Sequence, residues 1–201
     1  MNTWEIKGHV LEYFDDTHTY LVDGIIVPSI TQILKIKFKN KYSGVDQKVL
    51  NRASERGTEV HEAIEKLCKT GEAEDLKEVK NFIFLQKQYK FNTIDNEVPI
   101  ILFREETPVG AGRLDLVLEE NNELGLGDIK RTSVLDKEYL AYQLNLYRIG
   151  YQQCYDAEIS FLKGIHLRED TRKVVDLPIN EDMAMLFLRE VNKDGKDDLL
   201  L

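Results

Sequence analysis

Two neighbouring strand patterns, at residues 112–119 and 124–131, constrain the fold of this chain more than any other feature of its sequence. An Asn-Asn turn signal separates them, so we expect the two strands to pair as an antiparallel hairpin. Side chains in a strand alternate between faces, so Asp115 is predicted to lie opposite three leucines of its own strand, Leu114, Leu116 and Leu118. The chain therefore has to build a sheet with an apolar side and an acidic side chain on the other.

The second strand places Asp128 and Lys130 two residues apart and therefore on one face, with Ile129 directed into the core. Pairing of the two strands brings Asp115, Asp128 and Lys130 around one small volume. Burying two carboxylates and an ammonium group together is costly unless they bind a cation or neutralise one another. The pattern predicts either a cation site or a structural ion pair on a solvated face of the sheet.

The remaining hydrophobic periodicity predicts an α/β (α+β) domain in which helices flank a central mixed sheet. Helices are predicted near residues 45–69, 74–90, 136–154 and 180–192, and further strands near 97–105, 158–168 and 172–177. An antiparallel hairpin or meander is predicted over residues 9–27, before a short helix at 30–34. We therefore expect one domain over residues 1–201, with a core at about 45–178, an N-terminal β-hairpin leader at 1–34 and an acidic tail at 193–201.

The net charge of −9, from 27 basic and 36 acidic residues, argues on its own against non-specific binding to nucleic acid. The charge is unevenly distributed, because residues 35–56 carry seven basic side chains and two acidic ones. The basic residues of this stretch are Lys35, Lys37, Lys39, Lys41, Lys48, Arg52 and Arg56. The stretch is either a solvated connection or a patch that contacts phosphates.

Several classes of protein are excluded by what the sequence lacks. Its two cysteines, Cys68 and Cys154, are too few for a disulfide framework or for a four-cysteine zinc or iron–sulfur site. No apolar run reaches the roughly 18–20 residues needed to span a bilayer. The N-terminus lacks the apolar stretch of a signal peptide, and no P-loop motif is present. We therefore expect a soluble, cytoplasmic protein.

Asp115 and Asp128 suit a hard divalent cation such as Mg²⁺, which prefers carboxylate oxygens and keeps several waters. Lys130 beside such a cation could orient or deprotonate an attacking water. Glu97, which begins the preceding strand, is the favoured third acidic residue. Two other glutamates at the end of that strand compete for the role, Glu105 and Glu106.

Two predicted helices offer further candidates. His61 lies four residues before Glu65 on one side of its helix, and an imidazole ligand would move metal selectivity toward Mn²⁺. The alternative is a helix-surface or core histidine. Gln143 and Tyr147 lie four residues apart on the 136–154 helix and so share a face. They are either part of a core helix with one buried amide or a polar pair that closes over the site.

The order and spacing of these motifs resemble the PD-(D/E)XK nuclease superfamily, in particular its RecB-type and phage (lambda-type) exonuclease branch. The motifs are, in chain order, His61, Glu97, Gly112-Arg113-Leu114-Asp115, Gly127-Asp128-Ile129-Lys130 and Gln143-x-x-x-Tyr147. The resemblance covers roughly residues 55–150. Residues 13–34 are also similar to the leaders of phage and prophage members.

The resemblance implies a restriction-endonuclease-like fold and a set of catalytic residues, namely Glu97, Asp115, Asp128, Lys130, Gln143 and Tyr147. It implies metal ligation by His61, Asp115, Asp128 and the carbonyl of Ile129. Arg113 and Arg131 would join the basic stretch in contacting DNA. Two cysteines exclude the iron–sulfur cluster that some members of this branch carry.

We therefore expect a Mg²⁺- or Mn²⁺-dependent deoxyribonuclease, an exonuclease that acts on linear DNA ends in phage or prophage recombination or repair. The alternatives are a structure-specific or restriction-type endonuclease of the same superfamily and a catalytically inactive accessory protein that binds DNA ends. The expected partners are DNA, a single-strand annealing protein and further copies of the chain. The expected location is the cytoplasm of a bacterial host.

Overall fold

The N-terminal part of the chain forms a four-stranded antiparallel sheet in which each strand pairs with the next. Its strands are β1 (Asn2–Ile6), β2 (His9–Phe14), β3 (Thr19–Val22) and β4 (Ile25–Val27). The predicted antiparallel hairpin is confirmed, and β1 extends it by one strand that was not predicted. The computed structural model describes residues 1–39 and 44–194, so Lys41 and residues 195–201 of the predicted tail lie outside the described residues.

The main sheet has five strands in chain order, β5 (Asn92–Arg104), β6 (Thr107–Glu120), β7 (Glu123–Lys130), β8 (Phe161–Leu167) and β9 (Arg172–Leu177). Neighbouring strands run antiparallel except β7 and β8, which are parallel. A parallel pair needs a long crossover connection, and α4 (Lys137–Tyr155) provides it. The predicted mixed sheet is confirmed.

Four further helices complete the described part of the chain, α1 (Ile30–Lys37), α2 (Gln47–Thr70), α3 (Lys77–Tyr89) and α5 (Glu181–Asp194). A capping box at Ser29 and Gln32 begins α1, and Gly71 in the left-handed conformation ends α2. The predicted α+β class is therefore confirmed. Within the described ranges, none of the helices is long and apolar enough to cross a membrane.

Helices cover both faces of the main sheet. On one face, Val60 and Ile64 of α2 and Phe82 of α3 pack with Leu116 and Ile129 of the sheet. On the other face, α1, α4 and the N-terminal sheet share a second apolar cluster with the strands. Because both faces are covered, the polar residues of β6 and β7 lie between two apolar layers, where an unpaired charge is costly.

A short backbone link joins the N-terminal sheet to the main sheet. The amide of Ala111 on β6 donates a hydrogen bond of 3.0 Å to the carbonyl of Pro28, and Ser29 forms a parallel bridge with Ala111. The link lies directly before Gly112 and Arg113 along β6. It places the N-terminal sheet beside the strand that carries Asp115.

Candidate metal centre

The Asp115 side chain lies between β6 and β7 rather than on one face of the sheet. The ladder that joins these strands ends at the pair Leu116 and Gly127. Beyond it, a carboxylate oxygen of Asp115 accepts a hydrogen bond of 2.8 Å from the backbone amide of Ile129. The carboxylate thus replaces a ladder bond and holds the ends of the two strands at a fixed separation.

The predicted alternation of side chains along β6 is wrong at this point. Leu116 and Leu118 pack into the cluster beneath α2 and α3, but Leu114 packs into the cluster on the opposite face. The irregularity coincides with Glu97 on β5, whose backbone has a φ of 49°. This left-handed conformation is uncommon for a residue other than glycine and is enriched at functional sites.

His61 of α2 completes a group of three side chains that face one another. Its Nε2 lies 3.2 Å from the carbonyl oxygen of Ile129, and its Nδ1 lies 3.7 Å from Asp115 Oδ2. A carbonyl only accepts hydrogen bonds, so Nε2 carries the proton, and in the neutral ring Nδ1 is the free ligand atom. Potential ligand atoms of His61, Glu97 and Asp115 all lie within 4.8 Å of one another.

The Glu97 carboxylate is held next to that of Asp115. Burial raises the pKa of Glu97, the charge of Asp115 raises it further, and Arg113 opposes the rise. Arg113 Nε lies 3.4 Å from Glu97 Oε2. Of the three glutamates that the sequence offered, Glu97 lies beside Asp115, whereas Glu105 and Glu106 are exposed in the turn after β5.

Asp128 and Lys130 form a close pair beside this group. Asp128 is 1% exposed, and Lys130 Nζ lies 2.6 Å from its Oδ2, although without the direction of a good hydrogen bond. Burial raises the pKa of Asp128 to about 6, and Lys130 opposes this while Asp115 adds to it. Burial lowers the pKa of Lys130, but the charges of Asp128 and Asp115 outweigh it, so that pKa is raised. The predicted ion pair is present, next to the predicted cation site.

Gln143 and Tyr147 are both buried on the face of α4 that covers the sheet. A Cβ atom at Gly112 would lie 2.9 Å from the Tyr147 hydroxyl oxygen, so only glycine allows this approach. Gln143 Oε1 is buried and has no hydrogen-bond partner among the described residues. Tyr147 lines the cleft described next, and burial raises its pKa well above the ordinary range.

The donor set fits Mg²⁺ or Mn²⁺. It offers hard carboxylate oxygens, a backbone carbonyl and one imidazole nitrogen, the mixture expected of a site that accepts either ion. The acidic side chains of the site, Glu97, Asp115 and Asp128, carry more negative charge than Lys130 and Arg113 together neutralise. A divalent cation would remove that imbalance, and an amide oxygen without a partner, such as that of Gln143, could accept a hydrogen bond from a metal-bound water.

A cleft of about 610 Å³ opens over the acidic group. The N-terminal sheet and the start of α1 form one wall, α2 forms the other, and β5 and β6 form the floor. The lining residues are Tyr13, Asp15, His18, Tyr20, Ser29, Thr31, Ser54, Gly57, Thr58, His61, Glu62, Glu65, Glu97, Gly112, Arg113, Asp115 and Tyr147. Of these residues, the sequence pointed to Glu65 by its spacing from His61. It did not predict the aromatic side chains of β2 and β3, because no local sequence pattern connects these strands with β6.

Arg113 is the one lysine or arginine among these lining residues. Its guanidinium lies 4.8 Å from the centre of the Tyr13 ring and beside Glu97. The structure therefore holds this predicted DNA contact in a fixed orientation at the floor of the cleft.

The other predicted DNA contacts are distributed over the surface. Lys35 and Lys39 are exposed, and Lys37 lies 3.6 Å from Glu138 of α4. Lys48 and Arg52 are exposed on α2, but at about 100° per residue they point roughly 140° and 180° away from His61. These positions lie outside the lining of the cleft.

Arg56 and Arg131 bind a buried carboxylate that the sequence did not reveal. Glu78 of α3 is fully buried and accepts hydrogen bonds from Arg56 Nη2 at 3.2 Å and from Arg131 Nε at 2.9 Å. Glu169, in the turn after β8, lies 3.5 Å from Arg131. Burial raises the pKa of Glu78, but the two arginines outweigh this and the pKa is lowered. Both arginines are therefore engaged within the chain.

Comparison with known proteins leaves the function open. No protein-family model matches the chain, and no curated protein matches its sequence. Among solved structures, the chain is similar to the one described as the crystal structure of SSO0001, with 12% identity and a TM-score of 0.48 over 85% of this chain and 77% of that chain. A likeness at this level supports no statement about function, so the function has to be argued from the geometry of the site.

Proposed function

We propose that this chain is a Mg²⁺- or Mn²⁺-dependent deoxyribonuclease that hydrolyses phosphodiester bonds at DNA ends. The observation that carries the proposal is the triangle of His61, Glu97 and Asp115 ligand atoms, within 4.8 Å of one another, next to the buried pair of Asp128 and Lys130. A cation site with a lysine beside it is what metal-assisted attack of water on a phosphate needs. The resemblance of the motifs to those of the PD-(D/E)XK superfamily supports the same function.

The chain's own residues would divide the work as follows. Asp115, Asp128 and His61 Nδ1 would hold the cation, which when bound supplies an activated water and offsets charge on the phosphate. The Ile129 carbonyl, a further ligand by the resemblance, accepts a hydrogen bond from His61 Nε2 and would have to release it to join them. Glu97 would lie at the edge of the same group of ligands. Gln143 and Tyr147 would fix the site from the α4 side.

Lys130 acts in this proposal as a hydrogen-bond donor rather than as a base. Its pKa is raised by the neighbouring carboxylates in spite of its burial, so the ammonium form is favoured. An ammonium group at this position would orient the attacking water and then stabilise the negative charge that develops on the phosphate.

The size of the cleft supports action on one strand at an end. A volume of about 610 Å³ is that of a site for a small molecule, and the N-terminal sheet closes it on the side opposite α2. A single-stranded or frayed end, which presents one nucleotide at a time, suits a cleft of this volume.

The proposal is tested with end-labelled linear DNA and Mg²⁺ or Mn²⁺. We expect the wild-type chain to release nucleotides from the ends, to stop on addition of a chelator, and to leave covalently closed circles intact. Lys130→Ala is expected to abolish release. Cutting of the circle would instead identify an endonuclease, and tight binding of ends without metal-dependent turnover would identify an accessory protein.

A further inference from the structure

Asn96, which directly precedes Glu97 on β5, has a buried amide oxygen with no visible role in the fold. The residue is 8% exposed, and its Oδ1 has no hydrogen-bond partner among the described residues. An unsatisfied buried acceptor costs about 1–3 kcal/mol, so such an atom needs an explanation.

The other end of the Asn96 side chain is already engaged. Burial raises the pKa of the Cys68 thiol, and hydrogen bonds from Thr93 and Asn96 oppose that rise. A hydrogen bond that Asn96 donates comes from its amide nitrogen, since the amide oxygen only accepts. The amide of Asn96 thus neighbours the Cys68 thiol, while its Oδ1 has no hydrogen-bond partner among the described residues.

A small enclosed cavity lies beside this amide. Its volume is about 10 Å³, which is room for one water molecule or one ion. Asn96 lines it together with His61, Glu65, Glu97, Asp115 and Ile129. The same cavity thus adjoins the three clustered ligand side chains and the residue with the free oxygen.

We propose that Asn96 is a positioning residue of the metal centre, whose Oδ1 accepts a hydrogen bond from a water that occupies this cavity and is bound to the cation held by the neighbouring ligand side chains. The inference rests on the proposed metal site. Mg²⁺ and Mn²⁺ keep waters in their coordination shell, and a neutral buried oxygen orients such a water without adding to the acid excess. Residues that act on a metal through a second layer of hydrogen bonds typically change its affinity by about 10–100-fold.

The test measures Mn²⁺ binding to the full chain by calorimetry and by the relaxation of water protons around the bound ion. Asn96→Leu, which keeps the approximate size but removes the oxygen, is expected to weaken Mn²⁺ binding by about 10–100-fold and to speed exchange of the bound water. Asn96→Asp, which retains an oxygen at the same place, is expected to bind Mn²⁺ at least as tightly as the wild type.

Gln152→Leu is the matched control. Gln152 carries another buried amide oxygen without a partner among the described residues, but it lies on α4 and does not line the cavity. Its substitution is expected to leave Mn²⁺ affinity and water exchange unchanged.

The outcomes separate this inference from the proposed function. If the wild type binds Mn²⁺ and Asn96→Leu, folded by circular dichroism, binds it equally well with unchanged water exchange, the role of Asn96 is overturned while the metal site stands. If the wild type itself does not bind Mn²⁺, the proposed function falls. Should Asn96→Leu not fold, Asn96→Ser gives the same comparison, with weaker binding expected and wild-type binding contradicting the inference.

Discussion

Glu78 and Asp128 are both buried carboxylates, but the structure compensates their charges differently. Glu78 accepts hydrogen bonds from two arginines, Arg56 and Arg131, and its pKa is lowered although burial opposes this. Asp128 has one close cation, Lys130, and burial raises its pKa to about 6. The surroundings of Glu78 favour its ionised form, whereas burial makes the ionised form of Asp128 less favourable than it is in water.

The difference separates a structural cluster from a candidate site. Around Glu78, both arginines contact the buried carboxylate directly and also reach the more exposed Glu59 and Glu169, so the cluster ties α2, α3 and the end of β7 together. Asp128 instead has a second carboxylate close by, that of Asp115, which raises its pKa further. Buried carboxylates whose charge is not fully compensated lower the stability of a fold. They are expected where they bind a ligand, which is the usual conflict between stability and function.

The largest effect is expected from Asp128→Asn. A neutral amide removes a proposed metal ligand, so metal-dependent release of nucleotides should fall by roughly 10³-fold or more, the scale on which groups that act directly on a transition state contribute. The metal-free protein should lose less stability than Glu78→Gln, because Lys130 loses Asp128 but keeps the nearby charge of Asp115 and the amide needs no charge compensation.

Asp176→Asn is the control for this prediction. Asp176 pairs with Lys163 at 3.0 Å on β9, away from the cleft, and its side chain is 83% exposed. Nuclease assays and thermal melts in chelator check both variants. Activity of Asp128→Asn within tenfold of the control would contradict the assignment of Asp128.

Local sequence patterns were sufficient to predict the strands and helices that carry the candidate site. Strands 112–119 and 124–131 were predicted from alternation and a turn signal; the first falls within β6, and the second matches β7 except that it runs one residue beyond Lys130. The pairing of Asp128 with Lys130 also follows from a separation of two residues within one strand.

Features that depend on contacts between distant segments were not predictable in this way. Glu78 and Arg131 are 53 residues apart, so the sequence offered Arg131 as a DNA contact when its partner is within the chain. The break in alternation at Asp115 coincides with the left-handed conformation of Glu97 on the neighbouring strand. Neither feature leaves a periodic signal.

Glu78→Gln is expected to have its main effect on stability, whereas Asp128→Asn has its main effect on activity. It removes the one buried carboxylate that both arginines share, and breaking a buried pair typically costs about 3 kcal/mol or more. For a chain of this length that lowers the melting temperature by roughly 6–12 °C. Urea denaturation checks the loss, and Glu169→Gln, in the same cluster but 54% exposed, should change stability by about 0.5 kcal/mol or less. Equal effects at the two glutamates would contradict the structural role of Glu78.

The contribution of Glu78 to the free energy of unfolding should also depend on pH. The part that depends on pH cannot exceed the total loss predicted for Glu78→Gln. Its folded pKa is lowered below the ordinary value of 4.5, so its stabilising effect is complete above that value. The effect is lost as the pH falls through the lower, folded pKa. Urea midpoints of the wild type and Glu78→Gln, measured from neutral pH to about pH 3, should therefore converge on acidification. A constant difference would show that the carboxylate charge is not what stabilises the cluster.

Arg113→Lys has the smallest expected effect, and it tests the candidate site rather than the Glu78 cluster. The wild-type guanidinium is placed by the Tyr13 ring at 4.8 Å and by Glu97, and a lysine lacks the planar fork that pairs with a phosphate. Loss of about 1.4 kcal/mol of binding would raise KM for DNA about tenfold with little change in kcat. Arg104→Lys, an exposed position at the end of β5 that does not line the cleft, should leave KM unchanged. If Arg113→Lys instead lowered stability with KM unaltered, Arg113 would belong with Arg56 and Arg131 as a structural cation, and the cleft would hold no phosphate-binding arginine among its described lining residues.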